Sequence, residues 1–271
     1  MENFGEYEIQ GEPEKKEKAQ IWQAAIGLQA TDNLQVSKYL VGLAKDNIEG
    51  KKTIYDVKKS LRSYYNLQDK QGDDSRTQEA DEVSVRIMEI LSEKTFWFNP
   101  EEYIGIHKRL FESVKGLCDI AGKIRTENLT KKEWVLADDS VIYLPGQHLR
   151  QALAFDFEQE KNFDYRGLSI REKVERIAEF IKSVWQIHPF YEGNTRTTAV
   201  FLVKYLRSKG FDPDWQVFKD NSWYFRNALV RANYENFTKE IYKTNEFLVK
   251  FLGNLLLGEK NVLKNRHLRI I

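Results

Sequence analysis

The chain reads as mainly α-helical with one small β-hairpin. Apolar residues recur at three- and four-residue spacing, as in Val174, Ile177, Phe180, Ile181, Val184 and Trp185, which is the period of a helix with one buried face. These runs begin and end on capping signals. Ser169 has Glu172 three residues on, Asn99 precedes Pro100, and Gly210 and Gly258 lie just past the last apolar turns. Strand-forming residues flank a turn around residues 134–143, with Trp134 and Val135 before Ala137-Asp138-Asp139-Ser140 and Val141, Ile142 and Tyr143 after it.

Three helical patterns occupy Lys15 to Leu67: EKAQIWQAAIGLQA, VSKYLVGLAKDNIE ending at Gly50, and TIYDVKKSLRSYY, which Thr53 caps with Asp56 as a looser box partner. The stretch QDKQGDDSRTQEADE lacks large apolar residues and is expected to be a linker or mobile loop. The organisation expected is therefore an N-terminal helical module at 1–67, a linker at 68–82 and the main domain at 83–271. Helical spacing resumes with Val85, Ile87, Ile90 and Leu91, and Asn99-Pro100-Glu101-Glu102 starts a further helix with cap, proline and first-turn acids in order. In LFESVKGLCDIAG, Cys118 falls on an apolar helical face and is expected to be a buried structural thiol.

The run SIREKVERIAEFIKSVWQI must leave its helix at or just after His188, because Pro189 lacks the N–H and crowds the preceding turn. TTAVFLVKYLRS is a second helix, closed by Gly210, and WYFRNALVRAN a third led by aromatic residues. FLVKFLGNLLL, from Phe247 to Leu257, is apolar enough to be a core-closing helix.

Composition sets bounds. At 271 residues and 41% hydrophobic, the chain can bury a substantial core. A net charge of +1 with both signs interspersed indicates neither a nucleic-acid footprint nor a membrane-surface patch. A single cysteine excludes an internal disulfide and suits a reducing, cytoplasmic compartment. No apolar signal region opens the sequence, and 18 apolar residues nowhere run together. His107, His148 and His267 form no cluster at zinc-site spacing and read as surface or satisfied structural residues.

One segment concentrates chemistry. His188-Pro189-Phe190-Tyr191-Glu192-Gly193-Asn194-Thr195-Arg196 holds an imidazole that accepts a proton near neutral pH and a carboxylate suited to Mg²⁺. It also holds a glycine that lets the backbone approach a ligand and a guanidinium that pairs with phosphate. The open N-terminus of the following helix has unpaired N–H groups and a positive dipole end, so the Gly193-Asn194-Thr195 turn is expected to point donors at a phosphate.

This segment resembles the signature of the Fic family: His-Pro-Phe, any residue, Asp or Glu, Gly-Asn-Gly-Arg, two residues, Arg. Seven of its nine fixed positions are met. The resemblance extends over about Phe96 to Leu257 and includes Ala121-Gly122-Lys123-Ile124-Arg125, similar to the family's Ala-Gly-x-x-Arg segment. It implies a Fic-type helical bundle whose hairpin, Trp134, Val135, Val141, Ile142 and Tyr143, is a flap that docks an extended target segment over the active site. It implies AMP transfer from ATP to a Tyr, Thr or Ser hydroxyl of a target protein. His188 would be the general base, Glu192 the Mg²⁺ ligand and Gly193 and Asn194 the anion hole. Arg196 would grip the β-phosphate, and Phe190 would anchor the loop. Tyr224 and Asn233 loosely match positions facing the nucleobase; core packing is the competing reading for the aromatic residue.

Two positions depart from the signature. Thr195 stands where the family has Gly, so either no positive φ is needed there or the turn is strained. Ala199 stands where a second Arg would hold the γ-phosphate, a loss of roughly 1.5–3 kcal/mol of charge-assisted contact. A different nucleotide or another phosphate-containing group is the alternative these departures open, with a weakly catalytic binding or toxin–antitoxin module as a third. The self-inhibiting pattern of some relatives, Ser or Thr, three residues, Glu, then Gly or Asn, is not met: Glu49-Gly50 has Lys45 in the first position. The N-terminal module weakly resembles antitoxin-type helical units, and an antitoxin or a second copy of the chain is the expected partner.

Overall fold

The computed structural model describes residues 13–68 and 75–270. The described helices, in chain order, are α1 (Pro13–Gly27), α2 (Lys38–Ile48), α3 (Ile54–Gln68), α4 (Ser75–Ser92), α5 (Pro100–Phe111), α6 (Leu149–Lys161), α7 (Ile170–Ile187), α8 (Asn194–Ser208), α9 (Trp215–Asn233) and α10 (Glu246–Leu257). Between α5 and α6 lie β1 (Thr130–Lys132) and β2 (Ser140–Ile142), antiparallel, with Lys131 opposite Val141. The mainly helical architecture with a small hairpin is as expected.

The capping signals act as their chemistry requires. Ser169 and Glu172 form a reciprocal capping box, Asn99 accepts from the Glu102 N–H at 2.7 Å, and the side chains of Thr53 and Asp56 each accept from the other's backbone N–H. Gly258 closes α10 in the left-handed region at φ 65°.

The centre is α8, whose residues from Asn194 to Leu206 are all buried. α5, α7 and α4 pack around it, and α9 lies between α1, α7 and α10. Rings of Phe98, Tyr103, Phe157, Phe180, Phe201 and Tyr205 fill the space between α5, α6, α7 and α8. The N-terminal helices share this core through Trp22, Leu28, Val83 and Ile87. At the α1–α9 crossing a side chain on Gly27 would meet the Lys219 backbone at 2.6 Å, and the Ser222 hydroxyl donates to the Gly27 carbonyl at 2.6 Å. Only glycine lets the two helices come so close.

Three expectations are corrected. Residues 75–82 are the first turns of α4 and not loop, and Ala80 and Asp81 are fully buried. The Asp81 carboxylate accepts from the Ser37 backbone and hydroxyl and from the Tyr65 hydroxyl, so polar pairing holds a helix that apolar content did not announce. Residues 69–74 of the expected linker lie outside the described residues. Trp134 and Val135 are not strand but part of a 3₁₀ turn, Trp134–Leu136. The chain reverses there through Ala137 and Asp138 at φ 51° and 64°, and the pairing strand is Thr130–Lys132 instead. Cys118 is exposed, because α5 stops at Phe111 and a series of turns follows.

Candidate active site

His188 sits where α7 ends. It takes the left-handed conformation, φ 50° and ψ 58°, as the C-cap, with its N–H on the Trp185 carbonyl at 3.1 Å. Its imidazole is 2% exposed, stacked on the Tyr143 ring at 3.6 Å between centroids and met edge-on by Trp185. Neither ring nitrogen has a hydrogen-bond partner. Burial, followed by the charges of Lys131, Arg226 and Arg125, holds its pKa well below the ordinary histidine value. The imidazole is therefore neutral at pH 7, the state a general base requires.

Beyond it the turn is closed by the Asn194 amide, which accepts from the Phe190 N–H at 3.0 Å and donates to the Phe190 carbonyl at 2.8 Å. Gly193 supplies the positive φ, 73°, so Thr195 needs none and lies within α8. A side chain at Gly193 would enter the Phe111 ring at 2.2 Å. The Thr195 hydroxyl accepts from the Trp185 indole at 3.0 Å, tying the first turn of α8 to the last turn of α7. Thr197 is the first N–H in this helix to reach a carbonyl, that of Gly193 at 3.0 Å. The N–H groups of Asn194, Thr195 and Arg196 thus have no partner within the helix. Phe190 is fully buried and stacks on His107 at 3.7 Å, an anchoring position.

His107 is a satisfied structural residue. Its Nδ1 accepts from the Gly122 N–H at 2.8 Å, which leaves the proton on Nε2 to donate to the Glu192 carbonyl at 3.0 Å. Burial pushes its pKa down to about 3.

Arg196 is not where a phosphate could meet it. Its guanidinium is buried, with Asp32 at 2.6 Å from Nε, Glu79 at 2.7 Å from one terminal nitrogen and Gln29 at 3.2 Å from the other. All three partners come from residues before the main domain. Arg226 of α9 shares Asp32 and also pairs with the buried Glu133 at 2.7 Å. Burial alone would raise the Asp32 carboxyl, but Arg196 and Arg226 hold it below its ordinary value. Ala199 is fully buried in the same face. The self-inhibiting pattern is absent, yet acidic residues of the N-terminal layer do occupy the signature's arginine.

Tyr224 is a core residue, 1% exposed, and the charge that acts on its hydroxyl is Glu246, at the start of α10. The Asn233 amide is used on the carbonyls of Lys182 and Leu229. The Asn233 amide nitrogen is thus committed within the protein, and Tyr224 packs as a core residue. In the hairpin, Ile142 is exposed, Val141 and Tyr143 are buried, and Val135 is buried in the turn.

Residues 97–206, which include His188 through Arg196, match the model of the Fic/DOC family. The chain carries a Fic/DOC domain. Over 132 residues it is 30% identical to protein adenylyltransferase VbhT of Bartonella schoenbuchensis, a match that covers 49% of this chain and 24% of that protein. The chain thus spans about a quarter of that curated relative's length. Among solved structures, a Fic family protein from Desulfovibrio desulfuricans shares the fold with TM-score 0.56 and 16% identity, covering 92% of this chain and 67% of that one. BepC of Bartonella tribocorum, solved with bound AMPPNP, gives TM-score 0.52 and 16% identity, covering 67% and 85%.

The Fic domain's one acidic signature residue, Glu192, has a side chain 54% exposed, with the Lys131 ammonium 3.4 Å away. Among the described residues no three His, Cys, Asp or Glu side chains converge to hold a metal. One accessible carboxylate fits a Mg²⁺ that arrives with phosphate oxygens and keeps its waters, and does not fit a resident ion. Sequence reasoning missed Asp32, Glu79, Glu133, Lys131 and Arg226 as neighbours of the signature. Their spacing in sequence, from 32 to 226, carries no local signal.

Proposed function

We propose that this chain is a Fic-type protein nucleotidyltransferase, which moves the AMP part of ATP onto a Tyr, Thr or Ser hydroxyl of a target protein. The observation that carries this reading is His188: a neutral, buried imidazole with both nitrogens unpartnered, a short turn away from the open N–H groups of α8. His188 would take the proton of the target hydroxyl as its oxygen attacks the α-phosphorus, and pyrophosphate would leave. The α8 N–H groups would hold phosphate oxygens. Glu192 would hold Mg²⁺, which neutralises phosphate charge when bound. Positioning and charge neutralisation supply most of the acceleration in such transfers. The family match and the adenylyltransferase relative support the same reaction class.

The described conformation is a restrained one on this reading. Asp32 and Glu79 hold Arg196, and Tyr143 covers His188, so transfer requires the N-terminal layer and the hairpin to move. The N-terminal helices would act as a docking and restraining module, and a protein partner or second copy that displaced them would activate the site. A cytoplasmic setting is part of the same proposal; no described helix is long and apolar enough to cross a membrane. A second reading, transfer from another nucleotide or of another phosphate-containing group, is favoured by the buried Ala199, where no second arginine can reach a γ-phosphate.

The test is intact-protein mass spectrometry after incubating the chain with Mg²⁺ and each of ATP, GTP, CTP and UTP, beside a His188→Ala control. A His188-dependent gain of one AMP supports the proposal. A different nucleoside monophosphate or a bare phosphate moves the protein to the second reading. Transfer that survives in His188→Ala removes the proposed base.

A further inference from the structure

Arg125 is 1% exposed and has no carboxylate among its hydrogen-bond partners, which are all carbonyls. Nε donates to the His188 carbonyl at 2.7 Å. One terminal nitrogen donates to Leu144 at 2.6 Å and Ile187 at 3.3 Å, and the other to the Glu127 carbonyl. Its own backbone N–H donates to the Pro189 carbonyl at 2.9 Å. The Ile187, His188 and Pro189 carbonyls lie at the end of α7, where carbonyls have no helical partner and the helix dipole is negative, and those of Glu127 and Leu144 lie just outside the hairpin strands. An arginine fork can satisfy several such carbonyls at once in a fixed plane.

Two features of the site depend on that junction. His188 lies in the left-handed region, unusual for a residue with a side chain, and the carbonyls of Ile187 and His188, one on each side of the His188 Cα, are ones Arg125 holds. Leu144 follows Tyr143 directly, so the same guanidinium fixes the hairpin's exit beside the ring that stacks on the imidazole.

We propose that Arg125 is a positioning residue for His188, its guanidinium locking the helix exit and the hairpin exit together so that the imidazole is held at one orientation under Tyr143. This rests on the reading of His188 as the base. The charged groups acting on the imidazole are Lys131 from β1, Arg226 from α9 and Arg125 itself.

The decisive experiment is NMR of the four histidine rings in the full chain, with His188 assigned by its disappearance in His188→Gln. Wild type, Arg125→Lys and Arg125→Gln are compared from pH 8 to pH 5, with folding checked by circular dichroism. In the wild type, stacking on Tyr143 shifts the His188 ring protons upfield, and the ring protonates well below the ordinary histidine value. Arg125→Gln is expected to lose the upfield shift and to protonate at higher pH. Arg125→Lys, which keeps the charge without the fork, is expected to lose the upfield shift and to protonate at a pH between those of wild type and Arg125→Gln. An unshifted wild-type His188, or a folded Gln variant whose His188 shift and titration match wild type, overturns the proposal. Because the NMR readout needs no transfer, absence of transfer in the wild type would count against the proposed function and not against Arg125.

Discussion

The Asp32 carboxylate, on the turn after α1, lies 2.6 Å from Nε of Arg196 in the first turn of α8. The same carboxylate is 3.3 Å from Arg226 of α9, so one acid from the N-terminal layer balances two buried guanidinium groups. Such a group contributes more to specificity of packing than to net stability, because desolvation offsets much of the attraction. Removing it leaves Arg196 with Glu79 and Arg226 with Glu133, and the bridge between the two pairs is lost.

Asp32→Asn is therefore expected to destabilise the protein by about 1.5–3 kcal/mol, the scale of the charge-assisted contacts it weakens, read from urea unfolding. If the N-terminal layer restrains the site, any Asp32→Asn protein that remains folded should bind nucleotide more tightly than wild type. Equal affinity would show that this ion pair is structural only.

Gly193→Ala meets two obstacles, a φ of 73° and the Phe111 ring in the path of the new carbon. The left-handed backbone costs roughly 1–2 kcal/mol and the overpacking about 1–3 kcal/mol more. Phe111→Leu added to Gly193→Ala should recover part of the second cost and none of the first. A single Gly193→Ala variant as stable as wild type in thermal or urea unfolding would contradict the packing described.

His107 and His188 are both buried as neutral rings, with pKa lowered by burial, to about 3 for His107. The unfolded chain binds protons near pH 6.5 that the folded chain refuses. Stability is thus fully present above that pH and falls as pH drops below it, down toward the folded values. Each ring adds about 1.4 kcal/mol per pH unit to the slope. Urea midpoints from pH 8 to pH 5 should bend downward near pH 6.5, and a flat profile would show that these rings protonate in place.

Glu192 is solvent-accessible and paired only loosely with Lys131. Glu192→Gln should leave stability within about 0.5 kcal/mol of wild type, and abolish the difference in nucleotide affinity measured by calorimetry with and without Mg²⁺. Lys131→Ala is expected to strengthen the Mg²⁺ dependence, since the ammonium is then no longer beside the carboxylate. Mg²⁺ dependence that persists in Glu192→Gln would place the metal ligand elsewhere.

Local chemistry made most of the fold legible. Ser169 with Glu172, Asn99 before Pro100 and the break at Pro189 each act within a few residues, so the sequence by itself determined where α5 and α7 begin and that the chain turns at His188. The resemblance to the Fic signature implied an anchoring Phe190, and that ring is buried against His107. Contacts between distant segments decided the rest. α4 is helical through residues 75–82 because Asp81 and Glu79 find partners on α2, α3 and α8. Trp134 and Val135 lie in a turn because Ala137 and Asp138 adopt positive φ beside a Glu133 drawn to Arg226. Whether Arg196 faces phosphate or a carboxylate is likewise invisible in a linear pattern. A buried charge takes whichever opposite charge the packing brings within a few ångströms, and here packing brings one from 164 residues away, Asp32 to Arg196.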